Sequence, residues 1–511
     1  MKTVMIRSHR RDAWRLGAGG TVVLACVVSM LVAVPASVTT IASATSTPAA
    51  VPVPDPTLTG PVVTTPHLDG TRGIPYTSSA VDLASHGYTE QEYFVSGTAR
   101  AYEPVGALTT DGQWTVAVSS TADYKTRILV RKPIDMDTFS GTVVVEWMNA
   151  TVGRDLDVGW VFGSTSMLHD HDIYVGVSAQ QAPINGPTQS LNAWDPDRYG
   201  SLVHPGDQYS YDMFAQVAEA LRHPKGAGPV AGADIRSVIA YGDSQSAFRL
   251  VTYLDALQNR DQVFDGVILN SRFGNGAALN TDAPTPTGTL IRTDSTAKVL
   301  TLETETDIIR RSNGFLAARQ QDSRSLRLWE VAGSAHFNAP EEATMRLQAF
   351  RELPFADPPI QFNSCPEAMN TLRFSDMVDT TIHDMSRWVE DRQFSPPTAP
   401  LISVSSDGAS YVTNALGLTE GGIQLPQLSV PTGVESGIGN TGVGTCTLAG
   451  RHVPFSDSQL LALYPTHDAY ARAYAAAVKS ATRQGFLQPY DAAAAIDQAR
   501  NSAIPSLTYV L

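Results

Sequence analysis

Two serines and an aspartate interrupt an apolar stretch at residues 238–250, VIAYGDSQSAFRL. The residues before Gly242 have the composition of a buried strand, and those that follow have the spacing of a helix. A serine on a very tight strand-to-helix turn has its hydroxyl exposed above the sheet, where it can attack a carbonyl. Such a turn needs small side chains two positions before and two positions after the nucleophile. Gly242 and Ser246 meet this need around Ser244, which predicts Ser244 as a nucleophile.

The neighbouring residues fit the same turn less well. A nucleophile at Ser246 would place Phe248 where a small side chain is needed. A nucleophile at Asp243 would be flanked by Tyr241 and Gln245, which are both large. The steric requirement of the turn therefore favours Ser244.

Short apolar runs alternate with amphipathic patterns along the middle of the chain. This alternation predicts an α/β fold, a mostly parallel sheet with helices on both faces. Strands are predicted within residues 126–133, 141–149, 171–179, 235–244, 264–271, 297–307 and 325–333, and helices over 209–223, 245–259 and 377–393. Ligands bind at the carboxyl ends of such strands, and three of these ends carry the polar strings GDS, ETETD and GSAHFN.

A serine nucleophile needs a histidine base and a carboxylate that orients the base. In hydrolases built on such a sheet, the acid follows the serine along the chain and the histidine comes last. His336 lies just past the last predicted strand. The preceding strand ends in Asp307, the acid that we favour. Glu305 is its rival, because strand alternation would put both carboxylates on one face.

The oxyanion that forms when serine attacks a carbonyl is stabilised by backbone N–H groups. The N–H of the residue after the nucleophile, Gln245, is expected to be one donor. The second should come from the loop after VVVEWMN, which places it at Asn149 or its rival Ala150.

Three further residues are predicted to face the substrate. The segment 180–209 is too long for an ordinary connection, so we expect it to line the pocket with Trp194 and Tyr199. Arg272 follows a predicted strand end and is a third candidate, with capping of the sheet as the alternative role.

The ends of the chain differ in composition from its middle. Residues 1–44 combine a basic start, an apolar run and a small-residue cleavage site at Ala44, which predicts a signal peptide, a secreted product and no stable membrane anchor after cleavage. Residues 45–66 are rich in Pro and Thr and are predicted to be a linker. We expect the α/β domain over residues 67–397 and a C-terminal α+β extension, packed on it, over 398–511.

The net charge and the cysteine content limit the kinds of partner and site that we expect. The net charge of −14 disfavours nucleic acid and anionic membranes. Outside the leader only Cys365 and Cys446 remain, and two cysteines in an exported protein predict one disulfide. No histidines stand near them at ligand spacing, so no metal site is predicted, and no cofactor is expected.

Several strings resemble a family of exported α/β-hydrolase-domain proteins. They are GDSQSAFRL, ETETD, GSAHF, GGIQLPQLSVPTG and CTLAGRHVPFSDSQLLALYPTHDAY, and the resemblance covers roughly residues 80–500. It implies an α/β-hydrolase fold with a site at Ser244, His336 and either Asp307 or Glu305. It implies no particular substrate.

These residues favour a secreted serine hydrolase that cleaves a small-molecule carboxylic ester through an acyl-enzyme. An amidase, a peptidase or an acyltransferase would use the same triad. A non-catalytic exported binding protein on a hydrolase scaffold is the alternative from another class. The intact set of serine, histidine and acid favours an enzyme, because a binding scaffold has no physical need for all three.

Overall fold

The computed structural model describes residues 50–63, 72–224, 228–280, 284–309, 313–352 and 365–505. The predicted signal peptide, residues 1–44, lies outside the described residues. No helix within these ranges has the length and apolarity needed to cross a membrane.

A nine-stranded sheet forms the centre of the fold. Its strands are β1 (Thr57–Thr59), β2 (Tyr88–Pro104), β3 (Val116–Pro133), β4 (Thr142–Trp147), β5 (Ile173–Val177), β6 (Ser237–Asp243), β7 (Gly266–Asn270), β8 (Lys298–Thr304) and β9 (Leu326–Val331). They lie in the order β1-β2-β3-β5-β4-β6-β7-β8-β9. The six strands from β5 to β9 in this order are parallel, and β1–β3 form an antiparallel edge. The predicted mostly parallel sheet is confirmed.

Helices cover both faces of the sheet. They are α1 (Val158–Asp170), α2 (Gln181–Asn185), α3 (Leu191–Trp194), α4 (Pro196–Tyr199), α5 (Ser210–Arg222), α6 (Gln245–Tyr253), α7 (Asn259–Asp261), α8 (Glu305–Ile308), α9 (Ala339–Glu352), α10 (Ser375–Glu390), α11 (Pro426–Ser429), α12 (Asp457–Leu463), α13 (His467–Gln484) and α14 (Pro489–Arg500). Along β4, Val143 and Val145 pack in the core that contains α5 and α6. Val144 points the other way, into the core that contains α1 and α10. Both faces of β4 are buried, which explains its unbroken apolar sequence.

The predicted linker is wrong for residues 57–59. This stretch is the edge strand β1, in which Thr57 lies opposite Ser96 and Thr59 opposite Phe94 of β2. Its Thr-Leu-Thr sequence suits a strand. The surrounding prolines hid that signal, and prolines are tolerated at a sheet edge.

The residues of the predicted extension continue the fold of the α/β domain. Ile423 bridges to Val331 of β9 in parallel, and its N–H donates to the carbonyl of Glu330 at 2.7 Å. A small antiparallel pair, β10 (Gly433–Ser436) and β11 (Arg451–Pro454), lies further along the chain. A disulfide joins Cys365 to Cys446, as predicted, with a Cα–Cα distance of 5.3 Å.

Candidate active site

Ser244 lies in the tight turn between β6 and α6. Its backbone has φ 52° and ψ −111°, a conformation that is unfavourable for a residue with a side chain. The turn is held at both ends, because the Ser244 N–H donates to the Asn270 carbonyl at 2.9 Å and the Phe248 N–H donates to the Ser244 carbonyl at 2.9 Å. The serine is therefore fixed in place at the carboxyl end of β6.

The small residues two positions before and two positions after Ser244, Gly242 and Ser246, are closely surrounded by atoms of the turn and of α6. A Cβ on Gly242 would lie 2.8 Å from Leu250 Cδ1 and 2.9 Å from the Ala247 nitrogen of α6. The hydroxyl of Ser246 lies 2.9 Å from both the nitrogen and the oxygen of Asp243, accepting from one and donating to the other. Ser246 thus braces the turn from inside.

His336 is paired with Asp307. The ring Nδ1 lies 2.8 Å from Asp307 Oδ1, and both side chains are almost completely buried. The other carboxylate oxygen of Asp307 accepts from the hydroxyl of Thr304. A proton on Nδ1 shared with this carboxylate leaves Nε2 as the basic nitrogen of the ring. His336 and Ser244 line the same cavity.

Glu305, the rival acid, is directed elsewhere. Its carboxylate accepts from the N–H of Gly333 at 2.7 Å, from the N–H of Gly437 at 3.1 Å and from the hydroxyl of Ser436 at 2.8 Å. The strand alternation assumed for Glu305 and Asp307 is wrong, because β8 ends at Thr304 and both residues belong to the helical turn α8. A helix turns by about 100° per residue, so the two carboxylates diverge.

The two N–H groups considered as the second oxyanion donor have different partners. The N–H of Asn149 donates to the Leu156 carbonyl at 3.0 Å, so the choice of Asn149 is wrong. The N–H of Ala150 points at Gln245 Oε1 across a long 3.4 Å, beside the turn. Gln245 itself is the first residue of α6, and its own N–H has no acceptor four residues earlier within the helix.

None of the three residues predicted to face the substrate lines the cavity at Ser244. The Trp194 indole donates to the Glu352 carbonyl at 2.8 Å, and the Tyr199 hydroxyl donates to Glu92 at 2.9 Å. Arg272 is buried and donates to the Thr289 carbonyl at 2.6 Å. The segment 180–209 folds into α2, α3 and α4, and its bulky aromatic side chains are used in packing.

The cavity at Ser244 measures about 110 Å³ and is lined by residues other than Trp194, Tyr199 and Arg272. Apart from the groups already described, its walls are mainly apolar: Val152, Leu156, Val158, Phe162, Phe337, Met345 and Leu448. Val158 and Phe162 are four residues apart on α1, so they lie on the same side of the helix. This spacing can be read from the sequence. Leu448 and Thr445 come from beside Cys446, more than a hundred residues after His336, and no local pattern points to them.

Asp243 is a buried carboxyl group in this cavity. Its Oδ1 accepts from the Asn270 side chain at 2.7 Å. Burial raises the pKa of Asp243 to about 7, and the proximity of Asp307 adds to the rise, while His336 and Asn270 oppose it. Across the described part of the chain, no three His, Cys, Asp or Glu side chains cluster closely enough to hold a metal ion.

Comparison with known proteins gives a family and a set of similar folds. The sequence profile of the family described as "Alpha/beta hydrolase domain" matches residues 59–497. Among solved structures, an α/β serine hydrolase without a lid from Xanthomonas campestris is 12% identical, with a TM-score of 0.28, over 50% of this chain and 91% of that one. An esterase from the fungus Rhizomucor miehei is 10% identical, with a TM-score of 0.28, over 57% and 85% of the two chains. No curated protein matches the chain.

Asp243→Asn is expected to stabilise the folded protein at alkaline pH. The pKa of Asp243 rises from 3.8 to about 7 in the fold, so the stability that this group contributes is complete below pH ~4 and is lost as the pH rises through 7. Asparagine keeps an acceptor for Asn270 and does not ionise. Thermal melts at pH ~4 and pH ~9 should show the melting temperature of the variant rising relative to wild type at the higher pH. A difference that does not change with pH would contradict this assignment.

Proposed function

The chain belongs to the α/β-hydrolase domain family, whose profile covers residues 59–497, and on that premise we propose that it is a serine esterase with Ser244, His336 and Asp307 as its triad. The observation that carries the proposal is the 2.8 Å pairing of His336 with Asp307 beside a serine held at positive φ. We also propose that the protein is exported. The disulfide Cys365–Cys446 is consistent with export, because disulfides persist in oxidising compartments.

The proposed reaction proceeds through an acyl-enzyme. Ser244 Oγ attacks the ester carbonyl while His336 Nε2 takes the hydroxyl proton, and Asp307 stabilises the imidazolium that results. The proton then passes to the alcohol oxygen as the C–O bond breaks. Water attacks the acyl-serine carbonyl and gives a proton to His336. His336 returns this proton to Ser244 Oγ as the bond between Oγ and the acyl carbon breaks, which releases the acid and restores Ser244.

The oxyanion of each tetrahedral intermediate would lie between two backbone N–H groups. In our proposal these belong to Gln245 and Ala150. The Ala150 N–H faces the Gln245 side-chain oxygen at 3.4 Å, so a substrate oxygen would replace an acceptor that is already weakly bound. Losing one such donor typically lowers turnover by ~10²–10³.

Labelling with a fluorophosphonate tests the nucleophile. Wild-type protein should become labelled, Ser244→Ala should not, and Ser246→Ala should keep its labelling, because the Ser246 hydroxyl is bound to the backbone of Asp243. In-gel fluorescence of the folded proteins provides the readout. Labelling of Ser244→Ala, or none of folded wild type, would reject the proposed triad.

The cavity predicts a preference for short acyl groups. Its volume of about 110 Å³ is well below the roughly 300–1,000 Å³ of drug-sized pockets, and its walls are apolar. We expect kcat/KM for p-nitrophenyl acetate and butyrate to exceed that for the octanoate by about tenfold or more, since forcing extra methylenes against packed walls costs about 1–3 kcal/mol.

Met345→Ala should enlarge the cavity and raise kcat/KM for the octanoate relative to the acetate. Leu347→Ala is the matched control, because Leu347 lies on the same helix but is 63% exposed. Esters of varied chain length measure the shift. An unchanged preference in Met345→Ala, or an equal shift in Leu347→Ala, would show that this cavity does not hold the acyl group.

A further inference from the structure

Asn149 is a buried amide beside the nucleophile turn. The residue is 4% exposed and lies two positions past the end of β4. It lines the same cavity as Ser244 and His336. Its backbone N–H is used within its own loop, and the proposed triad gives its side chain no role.

The backbone of Asn149 closes the loop after β4. Its N–H donates to the Leu156 carbonyl at 3.0 Å, and its carbonyl accepts from the Leu156 N–H at 2.9 Å. Within the loop, the Gly153 N–H donates to the Ala150 carbonyl at 3.0 Å. These three bonds fix the shape of the loop, but none of them joins the loop to the turn at Ser244.

The side chain of Asn149 joins this loop to the turn. Its Nδ2 donates to the carbonyl of Asp243, the residue before Ser244, at 3.0 Å. Its Oδ1 accepts from the Thr151 N–H at 2.8 Å. Both distances are those of ordinary hydrogen bonds. One side chain therefore holds the residue before the nucleophile and the residue after Ala150 at the same time.

The two contacts need both ends of the amide. The NH2 group faces an acceptor and the oxygen faces a donor, so the opposite orientation would set acceptor against acceptor and donor against donor. Aspartate has nearly the same shape but offers only acceptors when ionised, and one of them would face the Asp243 carbonyl. Leucine has a similar volume and offers neither group. The bridge thus depends on asparagine at position 149.

The bridge determines where the Ala150 N–H points. Ala150 lies between Asn149 and Thr151, whose positions the bridge fixes, and its N–H points at Gln245 Oε1 across 3.4 Å. Gln245 directly follows the nucleophile and carries the other proposed oxyanion donor. A shift of the loop would move the Ala150 N–H away from the oxyanion, and a displacement of about 1 Å can cost about 10²-fold in rate.

We propose that Asn149 is a positioning residue, whose side chain ties the loop after β4 to the nucleophile turn and thereby holds the Ala150 N–H in place for the oxyanion. This role rests on the proposed esterase function, because the oxyanion forms only when Ser244 attacks a carbonyl. Asn149 acts through Ala150 and donates nothing to the oxyanion itself. Its loss should therefore weaken binding of the transition state more than binding of the substrate.

Two neutral variants of the full chain, Asn149→Ala and Asn149→Leu, test this role. Both remove the bridge without placing a charge beside His336. Each should lower kcat/KM for p-nitrophenyl acetate by about 10²-fold, the effect of losing one oxyanion donor. Thermal melts establish that the variants are folded, and Asn149→Leu, which keeps the volume of the side chain, decides the question if Asn149→Ala is not.

Asn259→Ala is the matched control. The Asn259 side chain also bridges two backbone groups, since it donates to the Asp294 carbonyl at 2.9 Å and accepts from the Thr296 N–H at 2.9 Å. Residues 294–296 precede β8, so this bridge lies at the amino ends of the parallel strands, the end of the sheet opposite to Ser244. Its loss should leave kcat/KM within about threefold of wild type, because no oxyanion donor moves.

A pair of inhibitors distinguishes positioning from a general loss of structure. 1,1,1-Trifluoro-2-butanone adds a serine hydroxyl to form a hemiketal whose oxygen mimics the oxyanion, whereas 2-butanone has the same carbon chain and binds as the ketone. In both Asn149 variants the Ki of the trifluoro ketone should rise by about 10²-fold. The Ki of 2-butanone should stay within about threefold, since it reports binding of the ground state.

Three results would overturn the role of Asn149 while leaving the esterase in place: unchanged kcat/KM in folded Asn149 variants, an equal loss of affinity for both ketones, or a similar loss of activity in Asn259→Ala. A folded wild-type protein that cleaves no ester would instead reject the proposed esterase, and the role of Asn149 with it. The activity of the wild type therefore tells the two failures apart.

Discussion

The tight turn at Ser244 is the constraint on which the site depends. A backbone held at φ 52° costs on the order of 1–3 kcal/mol and persists only where its surroundings fix it. The loop after β4 and the end of β7 do so, because the Asn149 side chain donates to the Asp243 carbonyl at 3.0 Å and the Asn270 carbonyl accepts from Ser244 at 2.9 Å. The parallel sheet is thus the support that holds Ser244 at the wall of the cavity.

The histidine side of the site depends on the C-terminal part of the chain. Glu305 accepts from the N–H of Gly437, and the Thr306 hydroxyl donates to the Gly437 carbonyl at 2.5 Å. Any Cβ on Gly437 would lie 2.3 Å from the Ser334 oxygen, so only glycine allows this approach. The Phe337 N–H donates to the Leu448 carbonyl at 3.2 Å, next to the disulfide. The residues after 398 therefore complete the site.

Sequence reasoning succeeded where local sterics or periodicity decide the outcome. The spacing of small residues around Ser244 is a property of one turn, and the buried strands show as unbroken apolar runs. Sequence reasoning failed where contacts between residues far apart in the chain decide the outcome. Nothing local distinguishes Trp194 in a pocket from Trp194 in a core, because an indole suits both environments. The choice between Asp307 and Glu305 depended on whether β8 continued past Thr304, and strand ends are poorly marked in sequence.

The central claim is that Asp307, and not Glu305, orients His336. Steady-state hydrolysis of p-nitrophenyl acetate by Asp307→Asn and Glu305→Gln tests it most directly. Our account predicts a loss of kcat on the order of 10⁴ for Asp307→Asn, as expected when a triad histidine loses its carboxylate. It predicts a loss of at most roughly tenfold for Glu305→Gln, which keeps one acceptor for the surrounding N–H groups. The opposite ranking, in folded proteins, would contradict the account.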